Sequence, residues 1–288
     1  VTDRQERQGE QEAEPSPGLS ENEVDSVADR AAGSAKVVHE VIRLQGDEEL
    51  DRPLASLICS GFAAGVAISA SILAEAFLHA RLPAAPWADL LTSLGYPVGF
   101  VIVIMGNLQL FTESTVTAVL PVATHPTRRN FVRLLRLWGL VFGANMAGTL
   151  FVAFLTSRRI IVGTEQLAAA IEVSRTILQH DAWATFLAGM PAGFLIASVA
   201  WILPNARGSE FWVILTITYV IAIGSFSHVV AGSGEAWLLW LTGHATLFDA
   251  TCGLILPSLL GNVVGGTGLF TVLAHGQVSR EIQPDQEE

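Results

Sequence analysis

The sequence predicts an all-α membrane protein with six transmembrane helices, arranged as an inverted three-plus-three repeat whose second and fifth helices are broken. Three observations lead there. The 288 residues are 51% hydrophobic and only 15% charged, with a mean hydropathy of +0.47, too apolar for an ordinary soluble domain. The apolar run 90–121 is interrupted at its middle by Gly106-Asn107-Leu108-Gln109-Leu110-Phe111-Thr112-Glu113. A second run, 211–242, is interrupted in the same style at Gly224-Ser225-Phe226-Ser227-His228. Lipid offers backbone amides no partners, so a break at membrane depth persists only inside protein or along a water-filled cavity. Paired breaks in the two halves of a chain point to a transport path.

Taken in order, residues 1–22 are polar and acidic, rich in Glu with Pro and Gly, a composition that predicts a disordered tail. Ser20-Glu21-Asn22-Glu23 fits a capping box, and Val27, Ala31, Ala35, Val38 and Ile42 follow at helical spacing. That predicts a cytoplasmic amphipathic helix over 23–50, lying on the membrane surface, under the bundle or in solvent. The transporter domain spans 51–276, with crossings at about 53–80, 90–121, 132–156, 182–204, 211–242 and 250–275. Each is near the roughly 20 residues that hydrocarbon requires. Residues 277–288 read as a cytoplasmic tail. Cys59 and Cys252 lie in apolar spans without metal or disulfide spacing and read as small packing residues.

The densest basic cluster, Arg128, Arg129, Arg133 and Arg136, lies between spans two and three. Basic loops stay inside, which places both termini in the cytoplasm and the protein in the plasma (inner) membrane. The polar N-terminus has no secretory signal, so the first span acts as its own insertion signal. No basic patch supports nucleic-acid binding. The halves match: Gly61-Phe-Ala-Ala-Gly65 with Gly189-Met-Pro-Ala-Gly193, Asn145-Met-Ala-Gly148 with Asn262-Val-Val-Gly265, and Phe111-Thr112-Glu113 with Phe226-Ser227-His228. An odd number of spans per half makes the second copy enter inverted.

Ser60-Gly61-Phe62-Ala63-Ala64-Gly65, Leu110-Phe111-Thr112, Phe226-Ser227-His228 and Gly261-Asn262-Val263-Val264-Gly265-Gly266, in that order, resemble the formate/nitrite transporter family over roughly 50–276. The resemblance implies an aquaporin-like helical arrangement, a homopentamer with one pore per subunit, and small monovalent anions or their conjugate acids as substrate. It implies a central histidine at His228 beside Thr112, with Leu110 and Phe111 at one constriction and Phe226 at the other. Ile221 stands where the family has a bulky Phe, Val229-Val230-Ala231-Gly232 replaces the usual residues after the histidine, and Gly193 replaces an Asn. The vestibule lysine is missing, with Arg175 or His180 as candidate substitutes, and the Glu49-Leu50-Asp51-Arg52-Pro53 entry and the Phe111-Thr112-Glu113 variant resemble a divergent branch. Asn107, Asn145, Asn262 and Gly265 read as supports of the broken segments.

An ionisable side chain within a span is functional by default. His228 titrates near neutrality and is suited to exchange a proton with the permeant anion, because a bare anion is penalised between apolar rings. Glu113 stands opposite His228 under the matching above. It could cap the second half-helix, pair with His228 and favour imidazolium, or line the pore and turn it toward cations or neutral solutes. Glu75 and His79 form an i, i+4 pair at a membrane edge, and Glu235, His244 and Asp249 read as vestibule or interface residues. Asn-Pro-Ala boxes, His-Glu-x-x-His and Gly-x-Ser-Gly are absent, which argues against an aquaglyceroporin or a membrane hydrolase. No cofactor or metal is implied. The remaining alternative is a non-conducting or different-solute family member acting as a scaffold or sensor.

Overall fold

The computed structural model describes residues 34–282, with side chains to residue 279. The described residues are helical apart from turns and the two interruptions. Five helices are long and apolar enough to cross a membrane. They are α2 (Leu54–His79), α3 (Ala88–Met105), α5 (Arg128–Ser157), α7 (Ala182–Asn205) and α10 (Asp249–Ser279). Preceding them is α1 (Ala35–Asp51); α4 (Leu120–Thr124) and α6 (Thr164–Ser174) lie between them. The apolar helices α8 (Glu210–Ile223) and α9 (Val229–Leu241) are shorter. Each is about 20 Å long, well under the roughly 30 Å of hydrocarbon, so neither is long enough to cross alone.

Tight helix packing sets the frame. Helix α2 lies on α5 so closely that a Cβ on Gly65 would come within 2.3 Å of the Asn145 carbonyl. Small residues permit this approach, which contact and polar bonding then hold in an apolar solvent. Helices α7 and α10 pair in the same way.

The two interruptions share one backbone pattern. Gly106 N–H donates to Ile102 and Gly224 N–H to Val220; Leu108 N–H reaches Val103 and Phe226 N–H reaches Ile221, each at 3.0 Å. Asn107 (φ 49°) and Ser225 (φ 51°) turn the chain through the left-handed region, which Asn tolerates better than most residues. The bonds equate Leu108 with Phe226 and therefore Leu110 with His228. That corrects the sequence matching of Glu113 with His228: the shared Phe-polar-polar wording is displaced by three positions from the backbone equivalence. Asn107 serves through its backbone turn, with its side chain exposed, rather than as a side-chain support.

Helix α1 is docked on the bundle. Val38 and Ile42 are buried against Val116, Leu120 and Ala197. Arg133 pairs with Asp51 at 2.6 Å, and Arg136 donates to the Arg52 carbonyl at 2.7 Å, so half of the basic cluster holds this junction. A Cβ at Gly46 would fall 1.8 Å from the Thr117 carbonyl, which makes glycine obligatory where α1 crosses the first interruption. The capping box, Val27 and Ala31 lie outside the described residues. Helical backbone continues to Ile282 beyond the expected end of the last span. Val278 is fully buried, and His275 and His39 lie 3.0 Å apart across α10 and α1, which explains the extension. Cys59 and Cys252 are exposed on the outside of the single chain rather than packed within it.

Glu49 accepts a bond from the Thr117 hydroxyl at 2.8 Å. Burial pushes its carboxyl up to about 7 from the ordinary 4.5, against the opposing pull of Thr117, Gln109 and the Arg52 charge. Between those values the folded protein holds a proton that the unfolded chain has released, so this group makes stability fall as pH rises through the window and level off above it. The unfolding midpoint of the purified protein should therefore decline from pH 4.5 to 7, and Glu49→Gln should flatten that part of the profile. A wild-type profile matching that of the variant would refute the assignment.

Candidate pore site

The site is built around the start of α9. His228 is its N-cap: the ring Nδ1 accepts the Ala231 N–H at 3.2 Å. On the other side of the ring, Nε2 lies 2.7 Å from the Thr112 hydroxyl. Accepting at Nδ1 requires a free lone pair there, so in the neutral ring the hydrogen sits on Nε2 and is donated to Thr112. His228 is 1% exposed. The Phe100 ring meets it edge to face, centroids 4.9 Å apart at 73°.

Two asparagines hold the interrupted segments. Asn145 accepts the Phe111 N–H at 2.9 Å and donates to the carbonyls of Gly61 and Gln109 at 2.8 and 2.9 Å. Asn262 accepts the Val229 N–H and donates to the carbonyls of Gly189 and Ser227, each at 2.8 Å. Each amide thus satisfies one stranded backbone donor and two stranded acceptors. The Gly265 position admits no Cβ, which would meet the Met190 carbonyl at 1.9 Å.

A cavity of about 760 Å³ reaches His228, and Ile221, Phe226, Ser227, Glu75 and Glu235 are among its walls. His79, Arg175 and His180 also line it, but Glu75 and His79 form no ion pair. Leu110 and Phe111 are buried away from this cavity, with Phe111 set edge-on to Trp138 and Phe142 at 5.8 and 5.2 Å. Glu113 does not meet His228. It begins a short 3-10 turn, Glu113–Thr115, and its carboxylate is in electrostatic reach of Glu49 instead.

The structure therefore brings together His228, Thr112, Ile221 and Phe226, supported by Asn145 and Asn262, and sets Glu113 apart. Sequence reading missed Phe100 and the α1 residue Glu49, neither of which carries a local motif. It also missed the Thr149–Ser233 hydroxyl pair at 2.8 Å, which ties α5 to α9. Asp249 is engaged locally, accepting from the Thr246 amide and hydroxyl at 2.9 and 2.6 Å.

The sequence profile of the formate/nitrite transporter family matches residues 36–276. The chain belongs to the formate/nitrite transporter family. Among its relatives, Inner membrane protein YfdC of Escherichia coli (strain K12) is 37% identical over 254 residues, 88% of this chain and 82% of the relative. Formate channel FocA of Haemophilus influenzae is 24% identical, covering 75% of this chain and 84% of the relative. Two solved structures share the fold. One, titled "Pentameric formate channel with formate bound", has a TM-score of 0.65 at 21% identity, over 78% of this chain and 97% of the other. The second, an "FNT family ion channel", has a TM-score of 0.67 at 18% identity, over 91% and 100%. The protein is accordingly a multi-pass membrane protein of a transporter family rather than of an enzyme family.

Asn262→Ala strands the Val229 amide and two carbonyls, each costing about 1–3 kcal/mol when buried without a partner. Guanidinium or thermal unfolding in detergent should show a loss of several kcal/mol or no folded oligomer, whereas Asn130→Ala, at the exposed start of α5, should cost under about 1 kcal/mol.

Proposed function

We propose that this chain conducts small monovalent anions, of the formate or nitrite kind, or their conjugate acids, with His228 exchanging a proton with the permeant ion. The observation that carries the reading is the buried His228–Thr112 pair at the end of the cavity, with Ile221 and Phe226 on its approach. Stripping water from an anion in an apolar passage is costly without paired charges or hydrogen bonds, whereas the neutral acid passes far more cheaply. The Nε2–H is the donor that meets the permeant ion. Charging the ring puts a hydrogen on Nδ1 as well and so removes the acceptor of the Ala231 amide. The charged state opens the first bond of α9; giving the Nε2 hydrogen to the ion leaves the Nδ1–H tautomer, and the cap is restored when that hydrogen leaves and Nε2 takes up another proton.

In this reading the domain over 51–276 is an inverted three-plus-three repeat with broken second and fifth helices. The matching bonds at Gly106–Leu108 and Gly224–Phe226 and at Asn145 and Asn262 support the repeat. The active unit is a homopentamer, as the neighbour titled "Pentameric formate channel with formate bound" suggests, and it sits in the inner membrane with both termini cytoplasmic. Helix α1, Ala35–Asp51, is its cytoplasmic helix. Leu110 and Phe111 form the constriction on the side of α1, and Glu113 faces that arm of the path.

The protein should be reconstituted in liposomes holding a pH dye, with formate, nitrite, acetate or chloride added outside at a series of pH values. An anion-dependent pH change above that of empty vesicles is expected, reduced roughly tenfold or more in His228→Ala, a loss in the range of a positioned proton donor. No flux from a folded oligomer, or a His228→Ala protein with the wild-type rate at every pH, would defeat the reading.

A further inference from the structure

The approach to His228 is flanked by stacked rings, and one of them carries a hydroxyl. Tyr96 and Phe100 stand four residues apart on α3 and so share one face of it. Their ring centroids are 5.1 Å apart, and the Phe100 ring meets His228 edge to face. The three rings form a continuous series from Tyr96 to the histidine. Tyr96 lines the cavity that reaches His228, together with Ile221, Phe226, Glu75 and Glu235.

Small neighbours hold Tyr96 in place. The Ser71 hydroxyl donates to the Tyr96 carbonyl at 2.5 Å and accepts the Gly99 N–H at 3.2 Å. A Cβ at Gly95 would fall 2.4 Å from the Glu75 amide nitrogen, and one at Gly99 would fall 2.4 Å from the Ile68 carbonyl. Helix α3 therefore approaches α2 at glycine distance on both sides of Tyr96. The ring has a fixed station on the cavity.

Its hydroxyl is the group left over. Tyr96 is 9% exposed, and among the described residues nothing hydrogen-bonds its phenolic oxygen. That oxygen keeps accessible surface, unlike the unpartnered hydroxyls of Thr92 and Thr185, which are sealed within the protein. Tyr219, the other of the chain's two tyrosines, donates its hydroxyl to the Leu90 carbonyl at 3.1 Å. A buried tyrosine hydroxyl normally finds a partner, and one that stays open to a cavity faces water or a ligand. Glu75 and Glu235 are within electrostatic reach of Tyr96 without bonding to it. Carboxylates only accept, so the phenol adds a donor to a wall whose carboxylates have none when ionised.

We propose that the Tyr96 hydroxyl is a binding station for an oxygen of the permeant solute, met in the cavity before His228. The inference rests on the reading of this cavity as part of the path. Formate, nitrite and their conjugate acids each present an oxygen lone pair that can take the Tyr96 O–H. That bond replaces part of the hydration a solute loses on entering an apolar passage. A site that hydrogen-bonds its solute disfavours analogues lacking the matching group. Tyr96 is therefore a specificity-determining residue of the proposed transport, selecting oxygen-bearing solutes ahead of the proton exchange.

Infrared difference spectroscopy on the purified full-length protein in detergent, carrying ring-deuterated tyrosine, tests the station. The phenol C–O vibration responds to hydrogen bonding, so adding sodium formate should shift a labelled band, and bulky sodium gluconate should not. The shift should persist in Tyr219→Phe, which leaves Tyr96 as its source, and vanish in Tyr96→Phe. In liposomes at fixed pH, Tyr96→Phe keeps the ring and removes the hydroxyl. The formate concentration for half-maximal entry should rise roughly threefold to tenfold, the worth of one hydrogen bond, with a smaller change in maximal rate. No formate-dependent phenol band, a band that survives in folded Tyr96→Phe, or an unaltered half-saturation in that variant overturns the station. A Tyr96 band in a protein without anion flux would defeat the proposed function and leave the station standing. Anion flux without the band would do the reverse.

Discussion

Everything at the centre of this molecule depends on pairing backbone groups that a helix leaves unpaired at membrane depth. When α3 stops at Met105 and α8 stops at Ile223, amides and carbonyls are exposed where lipid cannot satisfy them. Asn145 and Asn262 supply the missing partners, each bonding one N–H and two carbonyls. Their helices can deliver those amides only because α2 on α5 and α7 on α10 approach at glycine distance. Packing, amide and interruption are therefore one unit, and enlarging a glycine would release the interrupted segment as surely as removing an asparagine.

The same economy shapes His228. In the second interruption an asparagine carries the Val229 amide, and the histidine itself carries the Ala231 amide. Its Nδ1 is spent on structure, which leaves Nε2 as the atom that can meet Thr112 or a passing ion. At the equivalent point of the first interruption stands Leu110, which has neither duty, and the Glu113 amide turns back to the Leu110 carbonyl at 3.2 Å. One scaffold thus places an apolar side chain in one half and a polar, oriented ring in the other.

Much of this was legible in the sequence, and the parts that were not share a cause. Both interruptions, the paired asparagines and the family resemblance followed from residues that stand out in apolar surroundings. The equivalence of the halves was read from side-chain wording, which set Glu113 against His228. The structure sets Leu110 there, because the register obeys backbone bonds to Gly106, Leu108 and their counterparts, which one sequence does not display. Phe100 and Glu49 matter through neighbours distant in the chain, and periodicity says nothing of those. Asn107 was recognised as special for the wrong reason: its backbone angle, not its amide, is what the turn uses.

On the proposed reading, the charge along the cavity bears on selectivity beside the central ring. The ring in its capped state is a neutral donor with Phe100, Ile221 and Phe226 as apolar neighbours, a setting that favours uncharged solutes. Glu75 and Glu235 line the cavity that reaches it, and no lysine does. An anion entering by that cavity would meet the charge of any ionised carboxylate on its walls as well as the cost of an apolar passage. Protonation of the permeant ion answers both at once, so a proton-exchanging ring and acidic walls belong to one reading.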